Sequence, residues 1–132
     1  MRRTLIVVAA LVVLSLIVAG CGHGVTTPTA AGTSVGSDAA KAVRENIHAL
    51  QAAVMSYGAD HNDLFPRYTT EAAFRALLDP YLENGWPTNP YTQEPMRNSR
   101  SLGNYSYRSY DDRANFRLIG WGRDGQRIIV VP

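Results

Sequence analysis

Residues 37–60, "SDAAKAVRENIHALQAAVMSYGAD", carry the clearest periodic pattern in the chain. Apolar side chains recur there at steps of four, three, four and three, at Val43, Ile47, Leu50, Val54 and Tyr57. This spacing places them on one stripe of an α-helix. Ser37 is predicted as the N-cap, Asp38 favours the positive end of the helix dipole, and Gly58 with the polar residues 59–63 is expected to end the helix. The pattern predicts a helix of about 20 residues, about 30 Å long, whose apolar face must be buried.

A second, shorter helix is predicted in residues 69–82, "TTEAAFRALLDPYL". Thr70 is its expected N-cap, and Pro80 is expected to end or bend it. The apolar side chains expected to share one side of this helix are Phe74, Leu77 and Leu78. The pattern predicts a second amphipathic helix that is shorter than the first.

The next segment, residues 83–96 or "ENGWPTNPYTQEPM", is predicted to be a proline-rich loop. Its three prolines and its Asn-Gly pair exclude regular secondary structure over about a dozen residues. We expect this loop to be ordered, because Trp86, Tyr91 and Met96 provide apolar anchors.

The last third of the chain alternates in a way that predicts three β-strands, in residues 104–110, 115–121 and 126–131. Asp124-Gly125 is a strong hairpin signal, and the short connections make neighbouring strands antiparallel. With the long helix, these strands predict one α+β domain in residues 38–132, in which the helix lies across one face of the sheet. The chain has a single cysteine, so no internal disulfide stabilises the domain.

The first twenty residues have the order of an export signal peptide. Arg2 and Arg3 form a positive head, and residues 5–18 are mostly apolar. The apolar run is shorter than the roughly 20 residues that a membrane-spanning helix needs. Residues 21–37 are rich in Gly, Thr and Ser and are predicted to form a flexible tether.

The residues Val18-Ala19-Gly20-Cys21 resemble the lipobox of bacterial lipoproteins. The resemblance implies transfer of diacylglycerol to the Cys21 sulfur, cleavage before that residue, and acylation of the new amino group with a fatty acid such as palmitate. The expected location is a lipid anchor in the cell membrane with the domain on the extracytoplasmic face, either periplasmic or at the outer surface. The alternative is a retained signal anchor whose thiol has no role.

Residues 42–130 resemble the globular head of the type IV pilin-like proteins, specifically the major pseudopilin of type II secretion systems. The segments that carry the resemblance are "YGADHNDLFP" (57–66), "TTEAAFRALL" (69–78), "GWPTNPYTQEPM" (85–96), "GNYSYRS" (103–109) and "IGWGRDG" (119–125). The resemblance implies a pilin-like fold and a structural role in protein secretion or pilus-like assembly. The chain departs from the family because no glutamate occurs in residues 5–18 and a tether separates this run from the head. An ordinary filament subunit is therefore not expected.

The same resemblance implies a calcium site near the segment Gly122-Arg123-Asp124-Gly125. Asp124 matches the family's acidic position, but Gln126, Arg127 and Ile128 follow it. Calcium takes six or more oxygen ligands, so one carboxylate is a poor site. We expect Asp124 to serve as a turn residue and expect no metal.

Asp60, His61 and Asp63 form the only cluster that suggests metal or acid–base chemistry. A hydrolase would have to depend on Asp60 or His61. The alternative, which we favour, is that these polar residues end the long helix in solvent. His48 is expected on the exposed side of that helix. We expect no enzyme activity, cofactor or small-molecule substrate, because no nucleophile with a base, phosphate loop or metal-ligand spacing is visible.

An arginine-rich segment, residues 97–127, supports a different function. It contains seven arginines against three aspartates, interleaved with Tyr105, Tyr107, Tyr110 and Phe116. Arginine beside aromatic groups can bind anionic polymers. The alternative is a solvated sheet face over an aromatic core. If the face binds, we expect Arg108, Arg117 and Arg127 to contact anionic lipid, acidic wall polymer or DNA, with nucleic acid the least expected.

Two functions follow from these observations. The first is a non-catalytic, membrane-anchored envelope lipoprotein with a pseudopilin-like domain, acting as a structural or interaction component related to type II secretion or pilus-like systems. The second is an envelope module that binds an anionic polymer through its arginine-bearing sheet face. Removal of residues 1–20 would leave eleven basic and eleven acidic residues, so any positive field must be local rather than overall.

Overall fold

The structure, a computed structural model, describes residues 34–132. The predicted signal peptide (1–20), Cys21 and residues 22–33 of the predicted tether lie outside the described residues. Helix α1 spans Ser34–Asp60 and helix α2 spans Glu71–Leu78. Strands β1 (Tyr105–Tyr110), β2 (Asn115–Trp121) and β3 (Arg127–Val131) form one antiparallel sheet in the order β1-β2-β3. The predicted α+β fold class is confirmed.

The apolar stripe of α1 is buried along its whole length. Its members are Val43, Ile47, Leu50, Val54 and Tyr57, each at most 7 % exposed, and Ala53 is buried beside them. Since such a stripe is stable only when it is removed from water, packing rather than helix propensity accounts for the stability of α1. The predicted helix and its buried face are confirmed.

Both ends of α1 differ from the prediction. The helix begins at Ser34, so the prediction of Ser37 as the N-cap is wrong. Gly36 lowers helix stability by about 0.5–1 kcal/mol relative to alanine but is compatible with helical geometry. Residues 34–37 contain no proline, so nothing in their sequence prevents the helix from starting at Ser34. The helix also continues through Gly58, which was expected to end it, and stops at Asp60.

Gly58 lies within α1, and the ring of Phe65 packs directly against the space that a side chain there would occupy. A methyl group at Gly58 would lie 2.9 Å from Phe65 Cε1, closer than two carbon atoms approach. The helix ends just beyond, where Asn62 and Asp63 have positive φ angles and the amides of His61 and Asp63 donate hydrogen bonds to the Gly58 carbonyl. These left-handed residues satisfy carbonyls that the helix leaves unpaired.

Helix α2 begins as predicted. The Thr70 side chain accepts a hydrogen bond from the Ala73 amide, at 3.2 Å, which confirms Thr70 as the N-cap. Of the three side chains expected to share one side of the helix, Phe74 and Leu78 are buried, whereas Leu77 is 36 % exposed. Phe74 and Leu78 are four positions apart and therefore lie one above the other on the face of α2 that contacts the core. Leu77 lies at the edge of that face.

The carboxylate of Glu71 joins α2 to the sheet and to the following loop. Tyr105 Oη in β1 donates to Glu71 Oε1 at 2.8 Å, and the Asn98 amide donates to Oε2 at 2.9 Å. Tyr68 Oη donates to the same carboxylate at 3.2 Å. Burial, and then the hydrogen bond to Glu71, raise the pKa of Tyr105 above its usual range, so this phenol stays protonated and remains a donor.

The proline-rich loop is ordered, as expected, and its apolar anchors contact the core. Met96 is fully buried, and Trp86 Nε1 donates a hydrogen bond to the Met96 carbonyl at 2.9 Å. An anchor that the sequence did not reveal is Asn89, which is 1 % exposed. Its amide nitrogen donates to the Leu102 carbonyl, and its oxygen accepts from the Tyr91 amide. The loop is therefore held by one buried amide as well as by apolar side chains.

The three strands match the predicted segments to within one residue at each end. Asp124 and Gly125 form the turn between β2 and β3 with φ angles of 53° and 69°, which confirms the predicted hairpin. The inner face of the sheet is apolar and consists of Tyr105, Tyr107, Phe116, Leu118 and Val131, all buried. Helix α1 packs on this face.

Helix α1 approaches the sheet closely at Gly120 in β2. A methyl group there would lie 2.8 Å from Ile47 Cγ1 and 2.9 Å from Val43 Cγ1. The missing side chain of Gly120 therefore sets how near the helix lies to the sheet. A glycine within a strand often marks such an approach.

Gly120→Ala should lower the free energy of unfolding by about 1–3 kcal/mol, because the added methyl group overpacks the contact with Val43 and Ile47. Urea denaturation followed by tryptophan fluorescence measures this change. The control is Gly36→Ala in α1, where nothing lies within 4 Å of the new methyl group. The control should be neutral or stabilising. Equal stability of Gly120→Ala and the parent chain would show that the helix does not rest on this glycine.

Candidate functional site

The outer face of the sheet, opposite α1, carries a group of arginines. Arg108 in β1, Arg117 in β2 and Arg127 in β3 line one open cleft of about 270 Å³, together with Arg100 from the loop before β1. The structure thus brings together the three arginines that the sequence singled out and adds a fourth. We call these four residues the arginine face.

Two of these arginines lie directly opposite each other. Arg108 pairs with Arg117 in the antiparallel register of β1 and β2, which places their Cβ atoms about 5 Å apart. Like charges in this position destabilise a sheet. No acidic side chain lines the cleft, and within residues 34–132 none of the four arginines belongs to an ion pair. The positive charge is therefore concentrated without a compensating carboxylate.

Trp121 forms the apolar wall of the cleft. Its Nε1 donates a hydrogen bond to Ser106 Oγ at 2.8 Å, and the guanidinium carbon of Arg100 lies 5.7 Å from the centre of its ring. The indole is only 6 % exposed. An Arg–Trp contact of this kind is a cation–π interaction, which helps to orient the Arg100 side chain over the cleft.

Most of the aromatic residues that alternate with the arginines in sequence lie on the opposite face of the sheet, although Tyr110 lines the second cleft with Arg108 and Arg113. Tyr105, Tyr107 and Phe116 are buried on the inner face, whereas only Tyr110 is substantially exposed, at 38 %. Successive side chains of a strand point to opposite faces, so alternation in sequence separates the two kinds of residue. This arrangement agrees with the alternative given by the sequence, a sheet face with arginines over an aromatic core.

A second cleft, of about 440 Å³, lies at the end of β1 beside the turn between β1 and β2. Its basic residues are Arg67, Arg108 and Arg113, and its acidic residue is Asp112. Tyr68 also lines it, and burial, with the nearby charge of Glu71, raises the pKa of this phenol above its ordinary value. Arg108 belongs to both clefts.

The turn that supplies Arg113 has an unusual backbone. Asp111, Asp112 and Arg113 all have positive φ angles, of 52°, 51° and 73°. Non-glycine residues adopt this conformation at a cost, so neighbouring contacts must hold them in place. Asn115 Nδ2 donates to Asp111 Oδ2 at 2.9 Å, and the Phe65 amide donates to the Arg113 carbonyl at 2.9 Å. These bonds fix the position of Arg113 beside the second cleft.

The remaining arginines of residues 97–127 lie outside the arginine face. Arg97 is 3.8 Å from Glu94 in an exposed ion pair, and Arg123 is exposed in the turn between β2 and β3. Sequence reasoning missed Arg100 and Trp121. The parity of β2 could have indicated Trp121, since it is two residues from Ile119 and four from Arg117. Arg100 lies in a loop, so no periodic signal exists for it.

The cluster of Asp60, His61 and Asp63 is divided among separate structural contacts. Tyr81 Oη donates to Asp60 Oδ2 at 3.0 Å. The His61 ring stacks on Tyr57 at 3.8 Å between centroids, with its Nδ1 2.7 Å from the Tyr57 carbonyl. Asp60 is the last residue of α1, and Asp63 has the positive φ of the turn that follows. These positions agree with the interpretation of the cluster as a helix terminus.

Other candidates from the sequence have structural positions as well. Asp124 lies at the tip of the β2–β3 turn, and His48 is exposed on α1 with Nδ1 3.3 Å from Gln51 Oε1. In the part of the chain from residue 34 onwards, no group of three or more His, Cys, Asp or Glu side chains is arranged to hold a metal ion. Cys21, the predicted lipidation site, lies outside the described residues.

Comparison with known proteins gives no match: no protein-family model, no curated protein and no solved structure is similar to this chain. Among the helices described, none is long and apolar enough to cross a membrane.

Arg117→Gln should raise the free energy of unfolding at low ionic strength by about 0.2–1 kcal/mol, because it removes one member of the opposed Arg108–Arg117 pair. The gain should shrink towards zero near 1 M salt, where screening acts within about 3 Å. Denaturation at the two salt concentrations measures both values. Arg123→Gln is the charge-matched control and should change stability by less than about 0.5 kcal/mol. A stability loss in Arg117→Gln that does not depend on salt would contradict the repulsion.

Proposed function

We propose that this chain is a non-catalytic, lipid-anchored protein of the bacterial cell envelope, with a pilin-like domain that acts as a structural or interaction component related to type II secretion or pilus-like systems. The observation that carries the proposal is the sequence Val18-Ala19-Gly20-Cys21 after a positively charged, apolar leader. A chain with one cysteine cannot form an internal disulfide, so a disulfide cannot explain the presence of Cys21. Lipidation would give this cysteine a function.

The arrangement of the folded part supports the pilin-like portion of the proposal. A long helix lies on the inner face of a three-stranded antiparallel sheet, and a short helix with a proline-rich loop occupies the chain between them. This is the order of parts on which the sequence resemblance rests. A domain of this kind presents two surfaces to partners, the outer sheet face and the exposed side of α1.

The anchor also supports an interaction role. One acyl chain binds membranes only marginally, whereas two or three chains on one residue hold a protein durably. Twelve residues, 22–33, separate Cys21 from the first described residue. Because an extended chain spans at most about 3.6 Å per residue, the domain would remain within about 50 Å of its lipid. The partners would then be components of the envelope.

Mass spectrometry of the native protein should find an N-terminal Cys21 that carries fatty acyl groups. Cys21→Ser should abolish this mass increase and retain residues 1–20, because the sulfur nucleophile that accepts diacylglycerol is absent. The control Thr26→Ser, outside the motif, should be acylated like the parent chain. Recovery of a secretion ATPase or membrane platform with the acylated chain would support the secretion relationship. An unacylated Cys21 in the native protein would refute the anchor.

A second candidate function is binding of an anionic polymer by the arginine face. The specific observation in its favour is that Arg108, Arg117, Arg127 and Arg100 line one cleft without an acidic side chain among the described residues. Opposed arginines cost stability in the free protein, and an anion between them would remove that cost. Binding and lipid anchoring are compatible, since the anchor does not use the sheet.

The chain in a neutral detergent should be retained on an anionic matrix such as immobilised heparin, and salt should elute it. The triple substitution of Arg108, Arg117 and Arg127 by Gln should elute at clearly lower salt, because counterion release falls with each lost contact. A triple substitution of Arg44, Arg97 and Arg123 by Gln removes the same charge elsewhere. Equal elution of the two triple variants would show that net charge, rather than the arginine face, causes retention.

A further inference from the structure

The arginine face continues into the second cleft through one shared residue. Arg108 lines both clefts, with Arg100, Arg117 and Arg127 on one side and Arg67 and Arg113 on the other. Six arginines thus line the two adjoining clefts, against the single acidic residue Asp112. They come from β1, β2, β3, the segment between the helices, the loop before β1 and the β1–β2 turn, so only the folded chain collects them.

The length of this surface exceeds the size of a single small anion. Arg127 is paired with Trp121 at one end of β2, and Arg113 lies in the turn just before Asn115 at the other end. A strand of seven residues is about 20 Å long at its usual rise of about 3.3 Å. The charges therefore extend over about 20 Å along β2, a distance that fits a linear polyanion better than a monomer.

The positions of the arginines and the chemistry of the guanidinium group favour one class of polymer. Arg108 and Arg117 are nearest neighbours on adjacent strands, so a densely charged ligand can contact both. Guanidinium groups bind phosphate oxygens in a bidentate manner. A phosphate chain carries a charge at every unit and presents the oxygens that guanidinium groups bind.

Only one substantially exposed aromatic ring borders the two clefts, that of Tyr110 in the second cleft, which is 38 % exposed. Tyr105, Tyr107 and Phe116 are buried on the inner face, and Trp121 is 6 % exposed with Arg100 over its ring. Single-stranded nucleic acid gains much of its affinity from stacking on exposed aromatic rings. A single ring provides little stacking for a polymer of bases, so recognition here would depend mainly on the phosphate groups.

We propose that the two clefts form one groove, joined at Arg108, that binds a linear phosphate polymer without bases. This inference rests on the second candidate function, the binding of an anionic polymer by the arginine face, and extends it by Arg67 and Arg113. Arg108 occupies the middle of the groove and contacts the polymer in either cleft.

The test uses the full chain in a neutral detergent, with long-chain inorganic polyphosphate and inorganic tripolyphosphate as probes. Binding is measured by calorimetry over a range of salt concentrations. The long chain should bind more tightly than tripolyphosphate at equal phosphate concentration, because only the long chain spans both clefts. The Arg67→Gln, Arg113→Gln double variant should weaken binding of the long chain and reduce the salt slope by about 1–2. The Arg44→Gln, Arg123→Gln double variant is the charge-matched control and should bind like the parent.

A conservative pair keeps the test valid if the Gln variant unfolds. Arg67→Lys with Arg113→Lys retains the charge, so it should keep most of the affinity and all of the salt slope. Thermal unfolding of each variant shows whether it is folded.

The contrary outcomes separate the two proposals. No binding of any polyanion would refute the second candidate function itself. Binding in which the Arg67, Arg113 variant behaves like the control would leave that function standing and overturn the joined groove. Tighter binding of single-stranded DNA, or of vesicles with anionic lipid, than of polyphosphate with the same charge would overturn the choice of a phosphate polymer.

Discussion

The contact between helix α1 and Gly120 is the constraint on which the rest of the described fold depends. Val43 and Ile47 lie against a residue that has no side chain, so the helix reaches the backbone of β2, the middle strand of the sheet. Burial of the α1 stripe supplies the main driving force, and that stripe can be buried only if the sheet accepts it closely. The inner face of the sheet is thereby assigned to the core, and its aromatic residues fill the space on either side of the helix.

This assignment also decides what the outer face can do. Once alternate residues of β1 and β2 are committed to the core, the residues between them must face away from it. Arg108 and Arg117 therefore come to lie side by side, although their mutual repulsion opposes it. An anion bound between these arginines would remove the repulsion. The lipid anchor proposed for Cys21 would hold that surface in the envelope.

Polar residues at two junctions hold the irregular parts in place. Glu71 accepts hydrogen bonds from Tyr105 and from the Asn98 amide, which ties α2 and the loop to β1. Asn89 is buried inside the proline-rich loop and satisfies backbone groups there. Within the described residues, no buried side-chain nitrogen or oxygen lacks a hydrogen-bond partner. Because an unpaired buried polar group is costly, these bonds restrict each loop to one conformation.

The sequence by itself determined the elements whose periodicity is local: the buried stripe of α1, the Thr70 cap, the three strands and the Asp124-Gly125 turn. It also determined that Arg108, Arg117 and Arg127 belong to strands of one sheet. Only the tertiary structure decided that Phe65 packs against Gly58, that Asn89 is buried, and that Arg67, Arg100 and Arg113 join the other arginines. The physical reason is that helix and strand patterns depend on neighbours a few residues away. Close packing against Phe65, hydrogen bonding inside a loop, and convergence of charges from six segments depend on residues that meet only when the chain has folded.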